Sequence, residues 1–200
     1  PLIINKNKKT LAQRNILEDL KKYLIANKTL EKKDQKFLEN LALEYSIVTK
    51  NRHKIDIIDD LLFCVDIIPN SIVLAQAANE SGWGSSRFAK EYNALFGEYT
   101  YDSNRGIVPL ERNPDKKHLV KFFSSLDKSV DSYFKNINTH YAYSNFREVR
   151  NSLRKKDNFF DVYKLVEKLD VYAEDINYVN TISSIIRINQ LQNYDNIPSI

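Results

Sequence analysis

One carboxyl group in this sequence lies where its surroundings would change its chemistry. Glu80 falls at the end of a helix-forming run, shortly before Gly82 and Trp83. The free carbonyl groups at a helix C-terminus carry a partial negative charge, and a neighbouring indole excludes water. Both effects raise the pKa of a carboxyl group, so that it keeps its proton near neutral pH. A protonated carboxyl group beside an aromatic wall suits the general acid of glycoside cleavage, although a surface glutamate at a helix end fits the same pattern.

The glycines of the chain are concentrated around this carboxyl group. The chain has four glycines among 200 residues, and all of them lie between Gly82 and Gly106, whereas proteins use glycine for about 7% of their residues. The only tryptophan, Trp83, lies between Gly82 and Gly84. Because glycine permits positive φ angles and close approach of the backbone to other groups, this clustering predicts a shaped backbone site next to Glu80.

A mainly helical body is predicted to position this site, because apolar residues recur with the helical period along most of the chain. The predicted helices cover residues 11–26, 30–45, 55–67, 70–80, 85–91, 143–155, 158–168 and 174–191. A further helix is predicted after a capping box at residues 124–127, and residues 1–10 are predicted to be loose. Asn70 or Ser71 is expected to cap the fourth helix, and Gly82 is expected to end it.

Residues 95–123 differ in character from this helical body. They hold Gly97, Gly106, Pro109 and Pro114, with aromatic and β-branched residues between them. Such a composition is typical of turns and two or three short strands. The sequence therefore predicts a mainly α fold of the α+β kind, in which a small irregular β-lobe follows the first five helices.

Length and charge divide the chain into a basic N-terminal part and a slightly acidic body. Two hundred residues are enough for one domain with its own core. Residues 1–54 carry a net charge of +7 and the remaining residues one of −3, which predicts a basic helical N-terminal extension over 1–54 and a main domain over 55–200. The basic excess could approach an anionic polymer, but a solvated helical face explains it as well, and no nucleic-acid-binding motif accompanies it.

The sequence also excludes several classes of protein. No run approaches the ~18 apolar residues of a transmembrane helix, and the single Cys64 allows no internal disulfide and is expected to be buried. The chain has no methionine and begins at Pro1, so we expect a fragment or a processed product whose export signal or anchor lay upstream. His53, His118 and His140 lie far apart without cysteine partners, so no metal site is expected, and His140 is expected to fix a turn.

Three ordered segments carry a recognisable pattern. They are residues 74–97 (LAQAANESGWGSSRFAKEYNALFG), 120–147 (VKFFSSLDKSVDSYFKNINTHYAYSNFR) and 172–191 (YAEDINYVNTISSIIRINQL). Together they resemble glycoside hydrolase family 73, the bacterial endo-β-N-acetylglucosaminidases with a lysozyme-like fold. Gly-Ile-Val-Pro at 106–109 and Asn-Thr-His at 138–140 are similar to its Bax-type branch. The resemblance implies a lysozyme-like helical body with a small β-lobe, and a reaction that needs no metal or cofactor.

The resemblance also implies which residues are catalytic. By its place in Glu-Ser-Gly-Trp-Gly, Glu80 corresponds to the general acid of the family. A second acid is expected in the small lobe, unless the N-acetyl group of the substrate takes its place. The candidates are Glu111 first, followed by Glu98, Asp102 and Asp115. Tyr172 is similar to a family tyrosine implicated in catalysis, where it could orient water or the acetamido group; a core tyrosine is the alternative.

A second set of residues is expected to bind the sugar. Its members are aromatic except for one amide, and they are Gln76, Trp83, Phe96, Tyr99, Tyr101 and Tyr178. Aromatic rings suit the apolar faces of pyranose rings. Gln76 lies one turn before Glu80 on the same helix face and could bond to substrate or support the acid. Trp83 could instead brace the helix end, and Tyr178 could be packing or groove wall.

The leading hypothesis from the sequence is hydrolysis of β-1,4 glycosidic bonds of N-acetylglucosamine in bacterial peptidoglycan, with Glu80 as general acid. Two alternatives stay open, namely a non-catalytic peptidoglycan-binding or assembly protein of the same fold and a lytic transglycosylase. All three place the chain in the bacterial cell envelope, in the periplasm or exported, with the glycan strand as partner and no nucleic acid. The sequence does not indicate a protein partner.

Overall fold

A computed structural model describes residues 1–108, 119–157 and 161–196, which form helices and a small sheet. The α-helices in these residues are α1 (Leu2–Ile25), α2 (Lys32–Glu44), α3 (Lys54–Cys64), α4 (Asn70–Ser81), α5 (Arg87–Tyr92), α6 (Leu126–Thr139), α7 (Ser144–Asp157), α8 (Val162–Val166) and α9 (Tyr178–Ile188). The strands are β1 (Tyr99–Thr100), β2 (Gly106–Ile107) and β3 (Leu119–Lys121). The predicted mainly α fold with a small β-lobe is confirmed. None of the helices in these ranges is long and apolar enough to cross a membrane.

The small sheet has the order β1-β3-β2, and both neighbouring pairs are antiparallel. Val120 in the central strand faces Tyr99 on one side and Ile107 on the other. A Cβ atom at Gly106 would collide with the Leu119 side chain, so glycine lets β2 lie this close to β3. The sheet thus packs tightly, and it begins two residues after Gly97.

The two ends of helix α4, which carries Glu80, are set in different ways: its C-terminus by a neighbour in sequence and its N-terminus by a residue far away in sequence. Gly82 follows its last residue with a φ of +57°, so the predicted glycine end is confirmed. Its start differs from the prediction, because Pro69 takes the N-cap position. The backbone N–H and the hydroxyl of Ser71 both donate to the Asp195 carboxylate at 2.7 Å. The capping carboxylate therefore comes from the far end of the chain.

The first ten residues are almost entirely helical, so the prediction that they are loose was wrong. Helix α1 begins at Leu2, and Asn7 within it is completely buried. The Asn7 amide donates to the Ile68 carbonyl at 2.8 Å and to the Asn70 side chain at 2.9 Å, and its oxygen accepts from the Ile68 N–H at 3.1 Å. These bonds join the start of α1 to the start of α4, and they order the first turns of the chain.

The buried apolar side chains form two clusters. One unites α1, α2 and α3, and its buried members lie between Leu17 and Val65. The other unites α4 with α6, α7, α8 and α9, and its buried members lie between Ile68 and Ile186. Helix α3 thus packs with the two helices before it. The predicted domain boundary between residues 54 and 55 stays a prediction.

Buried arginines hold the segment between α3 and α4. Asp66 is 2% exposed and pairs with Arg14 of α1 at 3.3 Å and with Arg154 of α7 at 2.5 Å. Arg150 of α7 is buried as well, and it donates to the carbonyl groups of Asp66 and Ile67. Burial lowers the pKa of Arg150 to about 10, and the neighbouring Asp66 opposes this effect. We call Asp66 with Arg14, Arg150 and Arg154 the arginine cage.

Candidate active site

The Glu80 carboxyl group is half-buried in the last turn of α4. Burial raises its pKa above the ordinary value of 4.5, while hydrogen bonds from Asn79 and Tyr178 oppose the rise. The Asn79 side-chain amide donates to Glu80 Oε1 at 3.2 Å. The raised pKa predicted from the sequence is confirmed in direction. The cause of the rise differs in part from the predicted one. Trp83 is expected to exclude water from the carboxyl group, but Tyr178 and Gly97 lie there, and Trp83 faces a groove beside α9.

Gly97 forms one wall around this carboxyl group. Its φ is +60°, a conformation that side chains with a Cβ rarely adopt. A Cβ atom at this position would lie 2.9 Å from Glu80 Oε2. Glycine is therefore required here both by the backbone angle and by the space that the carboxyl group takes. The predicted role of the glycine cluster in shaping a site is confirmed at this position.

A buried amide supports the tyrosine that contacts Glu80. Gln76 Nε2 donates to the Tyr178 hydroxyl oxygen at 2.8 Å, and Gln76 Oε1 accepts from the Tyr133 hydroxyl at 2.5 Å. Because the Tyr178 oxygen already accepts from Gln76, its own proton is free to bond with Glu80. The row of groups Tyr133, Gln76, Tyr178 and Glu80 thus joins α6, α4 and α9. Gln76 is completely buried, which favours the predicted support of the acid over the alternative that Gln76 bonds to substrate.

Tyr172 lies beside this row but bonds elsewhere. Its hydroxyl donates to the Phe96 carbonyl at 2.8 Å, next to Gly97. Its ring stacks on the Tyr178 ring, with centroids 5.5 Å apart and planes inclined by 10°. Burial raises the pKa values of both phenols. Tyr172 is the predicted catalytic tyrosine, yet the phenol that acts on the pKa of Glu80 is that of Tyr178.

The aromatic residues predicted to bind sugar divide into exposed and buried groups. Trp83 and Tyr99 are each 65% exposed, and Tyr101 is 83% exposed, so sugar binding by these three stays a prediction. Phe96 and Tyr178 are each 2% exposed. Phe96 stacks on Tyr133 with a centroid distance of 4.2 Å. The prediction that Phe96 lines a sugar-binding groove is therefore corrected, because packing takes up nearly all of its surface. Tyr178 still borders a groove beside α9, so sugar binding by Tyr178 stays a prediction.

The candidates for a second acid have different positions. Glu111 and Asp115 lie outside the described residues. Asp102 is exposed in the turn after β1, where it accepts from the Asn104 N–H at 2.9 Å. Glu98 directly follows Gly97, and its side chain is only 10% exposed.

Glu98 is held by partners from the sheet and from α6. Glu98 Oε2 accepts from the Ser132 hydroxyl at 2.8 Å and lies 3.5 Å from Lys121 Nζ. Burial raises the pKa of Glu98, and the Lys121 ammonium opposes the rise. These contacts connect the segment after Gly97 to β3 and α6. The neighbours of the Glu80 carboxyl group are uncharged, whereas the Glu98 carboxyl group pairs with the Lys121 ammonium group.

The histidine expected to fix a turn does so. His140 Nδ1 accepts from the Ala142 N–H at 3.3 Å, at the start of the short 3₁₀ helix Tyr141–Tyr143. Cys64 is buried, as expected, and burial raises the pKa of its thiol. Within residues 1–108, 119–157 and 161–196, no three His, Cys, Asp or Glu side chains are grouped so that they could hold a metal ion.

Comparison with known proteins identifies the family. The family model described as glucosaminidase, mannosyl-glycoprotein endo-beta-N-acetylglucosaminidase, matches residues 56–191. The chain belongs to the glucosaminidase family. Protein bax of Escherichia coli (strain K12) is 37% identical over 155 residues, which make up 76% of this chain and 54% of that protein. The resemblance to the Bax-type branch is thereby confirmed, and the chain spans about half the length of this curated relative. No solved structure matches.

The glucosaminidase match contains the whole site described above. Glu80, Gly97 and Tyr178 all lie inside residues 56–191, together with the supporting Gln76. Helices α1 and α2 precede the match, although α1 bonds to the start of α4. Family membership points to a glycan as the substrate class and to a glycosidase as the class of protein.

Proposed function

We propose that this chain hydrolyses the β-1,4 bonds of N-acetylglucosamine in bacterial peptidoglycan, with Glu80 as general acid. The observation that carries the proposal is the half-buried Glu80 carboxyl group, whose pKa is raised and whose neighbours are an amide, a phenol and a glycine. Membership of the glucosaminidase family supports it. Because peptidoglycan lies in the bacterial envelope, we propose that the chain acts there.

The chemical step begins with the proton of Glu80. The raised pKa lets the carboxyl group keep this proton to a higher pH than an exposed glutamate would. Glu80 gives it to the glycosidic oxygen as the bond to the anomeric carbon breaks. The carboxylate that remains accepts hydrogen bonds from Tyr178 and Asn79, which stabilise its charge. The positioning residue Gln76 holds the Tyr178 oxygen so that the phenol proton points to Glu80.

Water or the acetamido carbonyl of the substrate completes the step by attacking the anomeric carbon. We keep Glu111 as the candidate that activates water, and substrate assistance as the alternative. Glu98 is not proposed for this role, because Lys121 and Ser132 hold its carboxyl group in the protein interior. A catalytic part for Tyr172 stays a prediction, since its hydroxyl donates to the Phe96 carbonyl.

The decisive experiment digests purified peptidoglycan with the wild-type chain and with Glu80→Gln. We expect the wild type to release fragments with reducing N-acetylglucosamine ends, and Glu80→Gln to release none while it keeps its circular dichroism spectrum. Glu148→Gln, at an exposed position of α7, is the matched control and should keep full activity. Mass spectrometry of the fragments identifies the new ends.

The same digest separates the alternatives. Release of 1,6-anhydromuramic ends would show that the chain is a lytic transglycosylase and would reject the hydrolase proposal. If the wild type releases no new ends at acidic or neutral pH but still binds to the cell wall, the chain is a non-catalytic binding protein and the hydrolase proposal is rejected. Wild-type turnover by Glu80→Gln would remove Glu80 from the reaction.

A further inference from the structure

A groove runs along α9 on the side that faces Trp83. Its volume is about 560 Å³, within the range of ligand sites. Its polar lining consists of Asn180, Thr181, Ser184 and Asn189, and its apolar lining of Trp83, Ile185 and Ile188. We call it the α9 groove. We propose that the α9 groove binds sugar units of the glycan strand beyond those held at Glu80, an inference that rests on the proposed function.

The lining of the α9 groove has the chemistry that a neutral sugar requires. It contains amides and hydroxyls, which bond to sugar hydroxyls and acetamido groups, and an indole face, which covers the apolar side of a pyranose. Among the residues that the structure describes, no side chain that lines it carries a charge. A second groove, on the N-terminal side of α9, differs because Asp170, Glu174 and Asp175 line it. The charge-free lining therefore favours a glycan over a charged partner.

The α9 groove lies close to the candidate active site along the chain. Trp83 follows Glu80 by three residues, and Tyr178, the first residue of α9, bonds to Glu80. From Asn180 to Asn189, a helix extends about 13 Å at about 1.5 Å per residue, so the groove has room for more than one sugar ring. These short separations are the reason to expect that one glycan strand reaches both places.

The backbone at Trp83 gives a further argument. Its φ is +58°, in the left-handed region that a bulky residue rarely adopts. Such a conformation is strained and persists where the surrounding structure imposes it, often at functional sites. Here the Trp83 N–H donates to the Ala78 carbonyl at 2.7 Å, and the ring stays 65% exposed at the groove. The strained turn thus presents a large aromatic face that the core does not use.

The single tryptophan makes the α9 groove directly observable, because all tryptophan emission comes from Trp83. The test titrates Glu80→Gln protein, which does not turn over substrate, with a chitin-type oligosaccharide of N-acetylglucosamine. We expect a saturable change in emission, and an affinity lowered at least about tenfold when Ser184→Lys fills the groove. Ser152→Lys, the same change at an exposed position of α7, should leave the affinity unchanged. Thermal unfolding checks that both lysine variants fold.

Each outcome bears on the inference separately from the proposed function. If wild-type protein cleaves peptidoglycan but Trp83 emission ignores the oligosaccharide, or responds equally in Ser184→Lys, the inference is overturned and the proposed function stands. If emission responds and Ser184→Lys blocks it while no cleavage occurs, the groove binds glycan and the hydrolase proposal fails. If neither cleavage nor a change in emission occurs, both are overturned.

Discussion

The two ends of α4 hold carboxyl groups in opposite electrostatic surroundings. Before its start, Asp66 is almost completely buried in the arginine cage and pairs with two guanidinium groups. At its end, Glu80 is half-buried and meets an amide, a phenol and a glycine, with burial raising its pKa. Ion pairs hold the Asp66 side chain in place, whereas a carboxyl group with a raised pKa, such as that of Glu80, suits the transfer of a proton. The same helix therefore joins a structural anchor to a chemical site.

The largest expected effect separates the two carboxyl groups by activity. Glu80→Gln should lower the rate of peptidoglycan hydrolysis by about 10²- to 10⁴-fold, because the amide cannot donate a carboxylic proton. The melting temperature should stay near that of the wild type, since Gln keeps the shape of the side chain. Initial rates of reducing-end release and thermal scans measure the two effects. A large loss of stability with intact rate would reverse the roles assigned to the two ends.

The second prediction applies the complementary change at the start of α4. Asp66→Asn should lower the free energy of unfolding by about 3–5 kcal/mol, because the guanidinium groups of the cage lose their buried counter-charge. Asp59→Asn is the control: it removes an ion pair with Lys21 that is about half exposed, so it should cost less than about 1 kcal/mol. Urea denaturation measures both values. Equal costs for the two variants would show that the arginine cage does not anchor the fold.

The third prediction tests the glycine wall at the chemical end. Gly97→Ala and Gly84→Ala should each destabilise the chain by about 1–2 kcal/mol, because both positions have a positive φ. Only the Cβ at residue 97 meets Glu80 Oε2, since a Cβ at residue 84 has no atom within 4 Å. Gly97→Ala should therefore reduce hydrolysis well below the level of Gly84→Ala. Similar rates for these two variants would remove the steric link between Gly97 and the acid.

The smallest expected effect is a shift in pH dependence. Since the protonated form of Glu80 is the active one, the rate should fall as pH rises through its raised pKa. The hydrogen bond from Tyr178 lowers that pKa, so Tyr178→Phe should raise it and move the fall in rate to higher pH. Tyr172→Phe removes a hydrogen bond to the Phe96 carbonyl, and the rate should then fall at the same pH as in the wild type. Rates across a pH series decide which tyrosine acts on Glu80, and a shift with Tyr172→Phe alone would contradict the assignment.

Much of the architecture was predictable because it depends on neighbours in sequence. Helical periodicity gave the helical body, the concentration of glycine and proline gave the small lobe, and Gly82 gave the end of α4. The position of Glu80 at a helix end follows from the same local signals. Each of these features is set by interactions within a few residues.

Only the tertiary structure decided which distant groups meet. The helical start of α1 depends on bonds between Asn7 and residues more than 60 positions away. Tyr178 is brought to Glu80 by the packing of α9 against α4, where the buried Gln76 bonds to its oxygen. Residue type alone cannot distinguish a ring at a groove from one packed in the core, as the buried Phe96 shows. The sequence by itself determined the local elements and the acid, whereas long-range packing determined the partners that give this acid its properties.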